Sequence, residues 1–163
     1  MKFIILILVS ILSYAITLPK QFSADFIQTI TSDKKTLTYK GKVFYNQGNI
    51  VWKYTYPYKK IIWIEDKVYI YEPDIMQLTI TKRKKNTLSD ILKNSKKIKN
   101  NLYKAEIEDK KIYFIYDKTL KKIFYTDEIG NKVEVNFFNQ KNSTPLKIFE
   151  VHYPKDVDII YQK

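Results

Sequence analysis

Cysteine is absent from this 163-residue chain, and histidine occurs once. The lack of cysteine excludes disulfides, thiolate nucleophiles, Cys-ligated metals and lipid attachment at a lipobox cysteine. With His152 as the sole imidazole, a zinc site would need mostly carboxylates, which is an uncommon structural set. Glycine and proline are scarce, at 3 and 5. No Gly-rich nucleotide loop, P-loop or GxSxG elbow is present. No Pro- or Ser-rich linker marks an internal boundary, so one domain is expected. Asp156 and Asp158 are of the right type for acid/base work, but near a strand start they read as turn and edge residues. Nothing here argues for catalysis or for a cofactor, and the chain reads as a non-enzyme.

Acidic residues are also in deficit. There are 17 of them against 29 Lys and Arg, a formal charge of +12, or one less without Lys2. Such a charge favours anionic surfaces, whether lipid headgroups, acidic protein patches or nucleic acid, and otherwise serves solubility. The basic runs Lys59-Lys60, Lys82-Arg83-Lys84-Lys85, Lys96-Lys97 and Lys121-Lys122 read as strand ends or a solvated helix face. No RNP-type or helix-turn-helix signature accompanies them, so a nucleic-acid partner is not expected. Long apolar runs are limited to Phe3–Leu12, broken by Ser10 and too short to span a bilayer comfortably. Lys2 precedes this run and Ser13-Tyr14-Ala15 follows it, the layout of a cleaved secretory signal over residues 1–15, with the mature domain at 16–163. The alternatives are a buried N-terminal strand or a short anchor. Export without a lipobox cysteine implies a soluble protein of the periplasm.

What the chain does have is aromatic side chains, 15% of all residues, including 14 Tyr and 9 Phe. They alternate in short runs between turn residues, which is the strand signature. One strand carries Phe22, Ala24, Phe26, Gln28 and Ile30 on one face. The next carries Leu37, Tyr39, Gly41, Val43 and Tyr45, and a third carries Ile50, Trp52, Tyr54 and Tyr56. The charged side of the third strand, with Val51, Lys53 and Thr55, is expected to face water. Further strands are expected at Lys60–Glu65, Val68–Tyr71, Ile75–Lys82, Leu102–Ile107, Ile112–Tyr116, Lys122–Thr126, Lys132–Phe138, Lys147–Tyr153 and Val157–Gln162. Between them, Thr87 can cap a helix reaching about Ile98, with Leu88, Ile91 and Leu92 on its apolar face. That helix reads either as a core cover or as a lid. The expected fold is mainly β, a single unclosed antiparallel β-barrel, or half-barrel, with a short helical lid. A curled sheet with an aromatic inner face is a natural ligand cavity.

Several of these segments, taken in order, resemble the LolA family of outer-membrane lipoprotein carriers. Phe22-Ser23-Ala24-Asp25-Phe26-Ile27-Gln28 is similar to the family's opening F-x-A-x-F-x-Q strand. Tyr39-Lys40-Gly41, then Trp52-Lys53-Tyr54 with Pro57, follow its pattern. So do Asp66-Lys67 with Tyr69-Ile70-Tyr71-Glu72-Pro73 and Gln77, and finally Phe149, Pro154, Val157-Asp158 and Gln162. Three departures stand out. Only Ile16–Gln21 precede the first strand, where the family has a longer helix. The arginine that many members carry before the third strand, tied to lid closure, is replaced at Asn46 and Gln47. Lys67 stands where a glycine is usual.

The resemblance implies a cycle in which acylated lipoproteins leave an inner-membrane ABC exporter and pass to an outer-membrane acceptor, with the carrier working as a monomer. The residues expected to hold the acyl chains are Phe22, Phe26, Leu37, Tyr39, Val43, Ile50, Trp52, Tyr54, Met76, Leu78, Leu88, Ile91 and Leu92. Two other readings stand beside this one: a lipid-sensing regulator with the same half-barrel, and an exported anion-binding module.

Overall fold

The computed structural model describes residues 16–84 and 88–162. The expected leader, 1–15, and Thr87, the expected helix cap, lie outside the described residues. The period-2 runs become strands in two meanders. The first is β1 (Gln21–Thr31), β2 (Thr36–Asn46), β3 (Asn49–Tyr56), β4 (Lys60–Ile64), β5 (Lys67–Glu72) and β6 (Gln77–Lys82). The second is β7 (Lys96–Lys99), β8 (Leu102–Ile107), β9 (Lys110–Asp117), β10 (Thr119–Thr126) and β11 (Lys132–Lys141). Between them lies helix α1 (Leu88–Lys93), and β12 (Asp158–Tyr161) ends the chain. Tight turns close the hairpins at positions where the backbone is left-handed: Gln47-Gly48 (φ 47° and 97°), Glu108-Asp109 (46° and 66°) and Lys118 (56°).

β1 pairs antiparallel with β11 and joins the two meanders into one open sheet, ordered β12-β6-β5-β4-β3-β2-β1-β11-β10-β9-β8-β7. Register shifts in the β1–β11, β2–β3, β7–β8 and β9–β10 pairings mark bulges, which bend and coil the strands. The curl is visible in ring contacts. Trp52 on β3 and Phe137 on β11 are three strand steps apart, roughly 14 Å on a flat sheet, yet their ring centroids lie 6.1 Å apart. Gly41 makes room for this. It pairs with Phe26 on one side and Tyr54 on the other, and those two rings meet over it at 5.1 Å. A Cβ at Gly41 would fall 2.2 Å from the Lys53 carbonyl oxygen and 2.9 Å from the Phe26 ring.

The sheet has an apolar layer on each face. The concave face carries a cluster that includes Phe22, Phe26, Val43, Ile50, Phe114, Val135 and Phe137, with Leu92 of α1 set into it. The convex face of β3–β6 carries a second cluster, Val51, Trp63, Tyr71, Leu78 and Val157. The C-terminal stretch covers that second cluster through Ile148, Phe149 and Val151, and the Trp63 indole donates to the Ile148 carbonyl at 3.0 Å.

The half-barrel expectation holds, and three details change. The helix ends at Lys93 rather than near Ile98, because 96–99 turns back at Asn100-Asn101 to pair with β8, leaving Ile98 exposed. Lys147–Tyr153 is not a strand: Leu146–Phe149 form a 3-10 turn whose apolar residues are used for packing rather than pairing. The closing strand is confined to β12 and adds parallel to β6, so the sheet is antiparallel except at that edge.

Candidate functional site

Parity along β1, β2 and β3 places Phe22, Phe26, Val43, Ile50, Trp52 and Tyr54 together on the concave face, as the alternation predicted. Leu88, Ile91 and Leu92 meet them from above, so α1 packs on the concave side, over β8. Leu92 is fully inaccessible and Phe22 and Phe26 are 1% exposed, so this part of the face is filled by side chains. Tyr39 lies on the same face beyond Gly41, and its ring meets those of Tyr54 and Tyr58, each at 6.2 Å. Leu37, further along the same strand, is largely exposed at its end.

Two expected residues lie elsewhere. Leu78 pairs with Tyr71 and is buried in the convex cluster, because the β5–β6 register puts its side chain on the opposite face from Trp52. Met76 ends the 3-10 turn Pro73–Ile75 in the left-handed region, φ 50°, and its carbonyl accepts the Asp158 N–H at 2.9 Å, at the β6–β12 edge of the sheet. Val51 also departs from expectation. Instead of facing water it is wholly buried under the C-terminal stretch, and only Lys53 and Thr55 on that side are exposed.

The other half of the concave wall comes from residues that the sequence reading did not single out: Tyr103, Phe114, Leu120, Ile123, Val135 and Phe137. Their alternation is regular within β8, β9 and β11 but is interrupted in β10, where a bulge between Leu120 and Lys122 brings Leu120 and Ile123 to the same face. Which parity faces inward follows only once the β1–β11 pairing sets Phe26 opposite Phe137.

The end of the trough near Phe22 and Tyr45 is closed by two straps. The N-terminal segment crosses it, with Ile16 buried, the Thr17 carbonyl accepting the Tyr116 hydroxyl at 3.2 Å, and the Lys20 carbonyl accepting the Gln47 N–H at 2.8 Å. Gln21 donates to the Asn46 side chain at 3.3 Å. Asn46 and Gln47 thus hold this strap. The chain's one arginine, Arg83, leads into α1 and forks onto two turn carbonyls, Gly48 at 2.8 Å and Glu65 at 2.5 Å. The end of β6 is therefore fastened to the β2–β3 and β4–β5 turns by charge-assisted bonds.

The opposite end is open. A cavity of about 200 Å³ lies there between Gln28, Ile30, Tyr39, Tyr54, Tyr58, Lys60 and Ile62. The Tyr54 hydroxyl donates to the Gln28 side-chain oxygen Oε1 at 3.0 Å. Burial, reinforced by neighbouring phenols, pushes the Tyr54 hydroxyl up to about 12. Tyr39 is also raised, chiefly by the Tyr58 hydroxyl beside it. These phenols are neutral hydrogen-bond donors across the ordinary pH range. A larger groove of about 890 Å³ lies on the convex face, beside the Asp25–Lys42 ion pair and Asn139, on the side of the sheet away from the ring cluster. His152 is 77% exposed beside Glu150 on the C-terminal stretch, far in character from a catalytic setting.

The model of the family described as outer membrane lipoprotein carrier protein LolA matches residues 18–100. Among curated proteins, the chain is 36% identical over 151 residues to the outer-membrane lipoprotein carrier protein of Helicobacter pylori strain HPAG1, covering 88% of this chain and 81% of that one. It is 31% identical over 149 residues to the protein of the same name from Wolinella succinogenes, covering 86% and 87%. Among solved structures, an uncharacterized conserved protein from Thermus thermophilus superposes with a TM-score of 0.57 at 13% identity, over 89% of this chain and 92% of that one; the likeness is one of fold.

Proposed function

The chain belongs to the LolA family of outer-membrane lipoprotein carriers, and we propose that it carries lipoproteins through the periplasm with their acyl chains held on the concave face, between the sheet and α1. In this reading it takes its cargo from an inner-membrane ABC exporter and delivers it to an outer-membrane acceptor. It acts by binding and release, with no bond made or broken. The observation that carries the proposal is the apolar concave cluster, roofed among the described residues by a six-residue helix and a short N-terminal strap.

Energetics favour this arrangement for a carrier. Burying an acyl chain is worth about 0.8 kcal/mol per CH₂, so two or three chains fully buried would be held by tens of kcal/mol. A sealed, empty pocket would keep that whole sum and never release. Here Phe22, Phe26 and Leu92 are already buried against one another. Entering chains must lift α1 and replace protein–protein contacts with protein–lipid ones. Only the difference contributes to affinity, which leaves the cargo exchangeable. Flat aromatic rings give broad contact to flexible chains without fixing their register.

The test is mass spectrometry of the protein purified from the periplasmic fraction of its native host. The expected result is co-purified acylated lipoprotein, with the carrier's own N-terminus at Ile16. Recovery from that fraction with only free anions or with no acylated species would overturn the carrier reading.

A further inference from the structure

The rings on the concave face form one continuous series. Phe137 meets Trp52 at 6.1 Å, Trp52 meets Phe26 at 5.0 Å, Phe26 meets Tyr54 at 5.1 Å, and Tyr39 joins Tyr54 to Tyr58 at 6.2 Å on each side. The series changes character along its length. Its inner members, Phe137 and Phe26, are buried hydrocarbon rings, while its outer three carry phenolic hydroxyls and end at Tyr58, 44% exposed. The cavity of about 200 Å³ sits at this outer end.

The lining of that cavity is rich in donors and, among the described residues, contains no carboxylate. Tyr54 spends its proton on the Gln28 side-chain oxygen, which leaves the Gln28 amide N–H groups available, and Tyr39, engaged with the Tyr58 hydroxyl, leaves the Tyr58 O–H as a further donor in the same lining. Lys60 is the one cation of this lining, and it is already matched by Glu72 at 3.2 Å. A donor-rich, charge-compensated site selects a neutral acceptor over an anion. Ile30 and Ile62 supply an apolar flank. A volume of about 200 Å³ equals that of roughly six or seven waters, room for a pair of ester groups but not for acyl chains.

Resting on the carrier reading above, we propose that this cavity is the subsite for the carbonyl-bearing linkage of the cargo, the acyl esters and amide where the chains join the lipoprotein's first residue. The chains run from it along the ring series toward α1, and the polypeptide leaves through the open end. The site therefore sets which end of the ligand points outward, and it distinguishes acylated protein from plain hydrocarbon.

Two probes test this: a diacylglyceryl lipopeptide, and its dialkyl-ether twin, which has the same chains but no ester carbonyls. Binding is measured by displacement of an environment-sensitive dye. The wild type should favour the ester by about tenfold, the size expected from one or two hydrogen bonds. Tyr39→Phe/Tyr58→Phe, which keeps both rings, should bring the ester-to-ether ratio close to one. Tyr58→Phe alone, at an exposed position, should lower the ratio in the same direction and guards against a folding defect in the pair. Equal binding of both probes by the wild type, or a preference that survives in both variants, overturns the subsite while leaving the carrier intact. Tighter binding of a diacyl phospholipid than of the lipopeptide overturns the assignment to a lipoprotein linkage. Failure of the wild type to bind either lipopeptide overturns the carrier reading itself.

Discussion

Trp52 touches Phe26 at 5.0 Å and Phe137 at 6.1 Å and is only partly buried, so it belongs at once to the packed cluster and to the proposed acyl wall. Trp52→Glu would place a carboxylate against the apolar cluster formed with Phe26 and Phe137, and burying its charge there costs several kcal/mol. Because α1 is small, the cheaper response is for the lid to stay open and the carboxylate to remain wet. The variant should keep its β-sheet circular dichroism, melt several degrees lower and lose lipopeptide binding, whereas Trp52→Phe should retain most of it. Full binding by a well-folded Trp52→Glu protein would remove this strand from the acyl site. Tyr54 allows a test by pH. Its hydroxyl is raised by burial from the ordinary 10 to about 12. The folded state therefore holds this proton more tightly than the unfolded chain does. The resulting stability is complete below pH 10 and is lost as the pH climbs from 10 to about 12. Across that window the wild type should lose on the order of 2–3 kcal/mol relative to Tyr54→Phe. Denaturant melts of the two proteins at pH 8 and near pH 12 read the difference directly, and parallel losses would place Tyr54 in water.

At the scale of elements, α1 is six residues long and cannot be stable by itself. It is held by Leu92 in the cluster and by Leu88 and Ile91 packed against that cluster. Ile91→Asp sets a charge against this apolar surface. It should release the helix and raise the fluorescence of an environment-sensitive dye severalfold while the sheet stays folded; unchanged dye binding would mean that α1 is no lid. The elements themselves are legible in the sequence to different degrees. β1–β3 can be read because strict alternation continues over 8 to 11 residues, and Gln47-Gly48 is a clear turn. The helix reads too long because Ile98 continues an apolar spacing that belongs to a hairpin strand. Leu78 falls to the wrong face because alternation gives the two faces of a strand but not which one points inward. Near β4–β6 both faces are apolar, since 146–157 covers the convex side. The β1–β11 and β12–β6 pairings join segments more than 70 residues apart in sequence, so no local pattern encodes them. The outer half of the ring series is visible as tyrosines in the sequence. Its closure through Gly41 depends on register.

For the molecule as a whole, the excess of lysine is a property of the surface. Among the described residues the lysines in ion pairs are Lys42, Lys60, Lys104, Lys110 and Lys122. Most of these pairs are solvent-exposed, and such pairs add little to stability. The remaining positive charge is free to act outward. Part of it has a protective use: β7 is an open sheet edge, and its Lys96, Lys97 and Lys99 are all exposed, which discourages pairing with another strand. The net +12 exceeds what one guarded edge needs. In the proposed transport cycle this charge favours faster encounter with anionic lipid or acidic partner surfaces, because a field of one sign raises association rates by roughly ten- to a thousandfold. That field reaches about 10 Å at 0.1 M salt and about 3 Å at 1 M. The rate at which this protein associates with exporter-containing inner-membrane vesicles should therefore fall by about tenfold or more over that range. The dissociation rate of bound lipopeptide, which depends on apolar contact, should change far less. Measured by stopped flow, a steep salt dependence in association alone would separate the role of the lysines from that of the rings. An association rate indifferent to salt would leave the charge to solubility and the guarded edge.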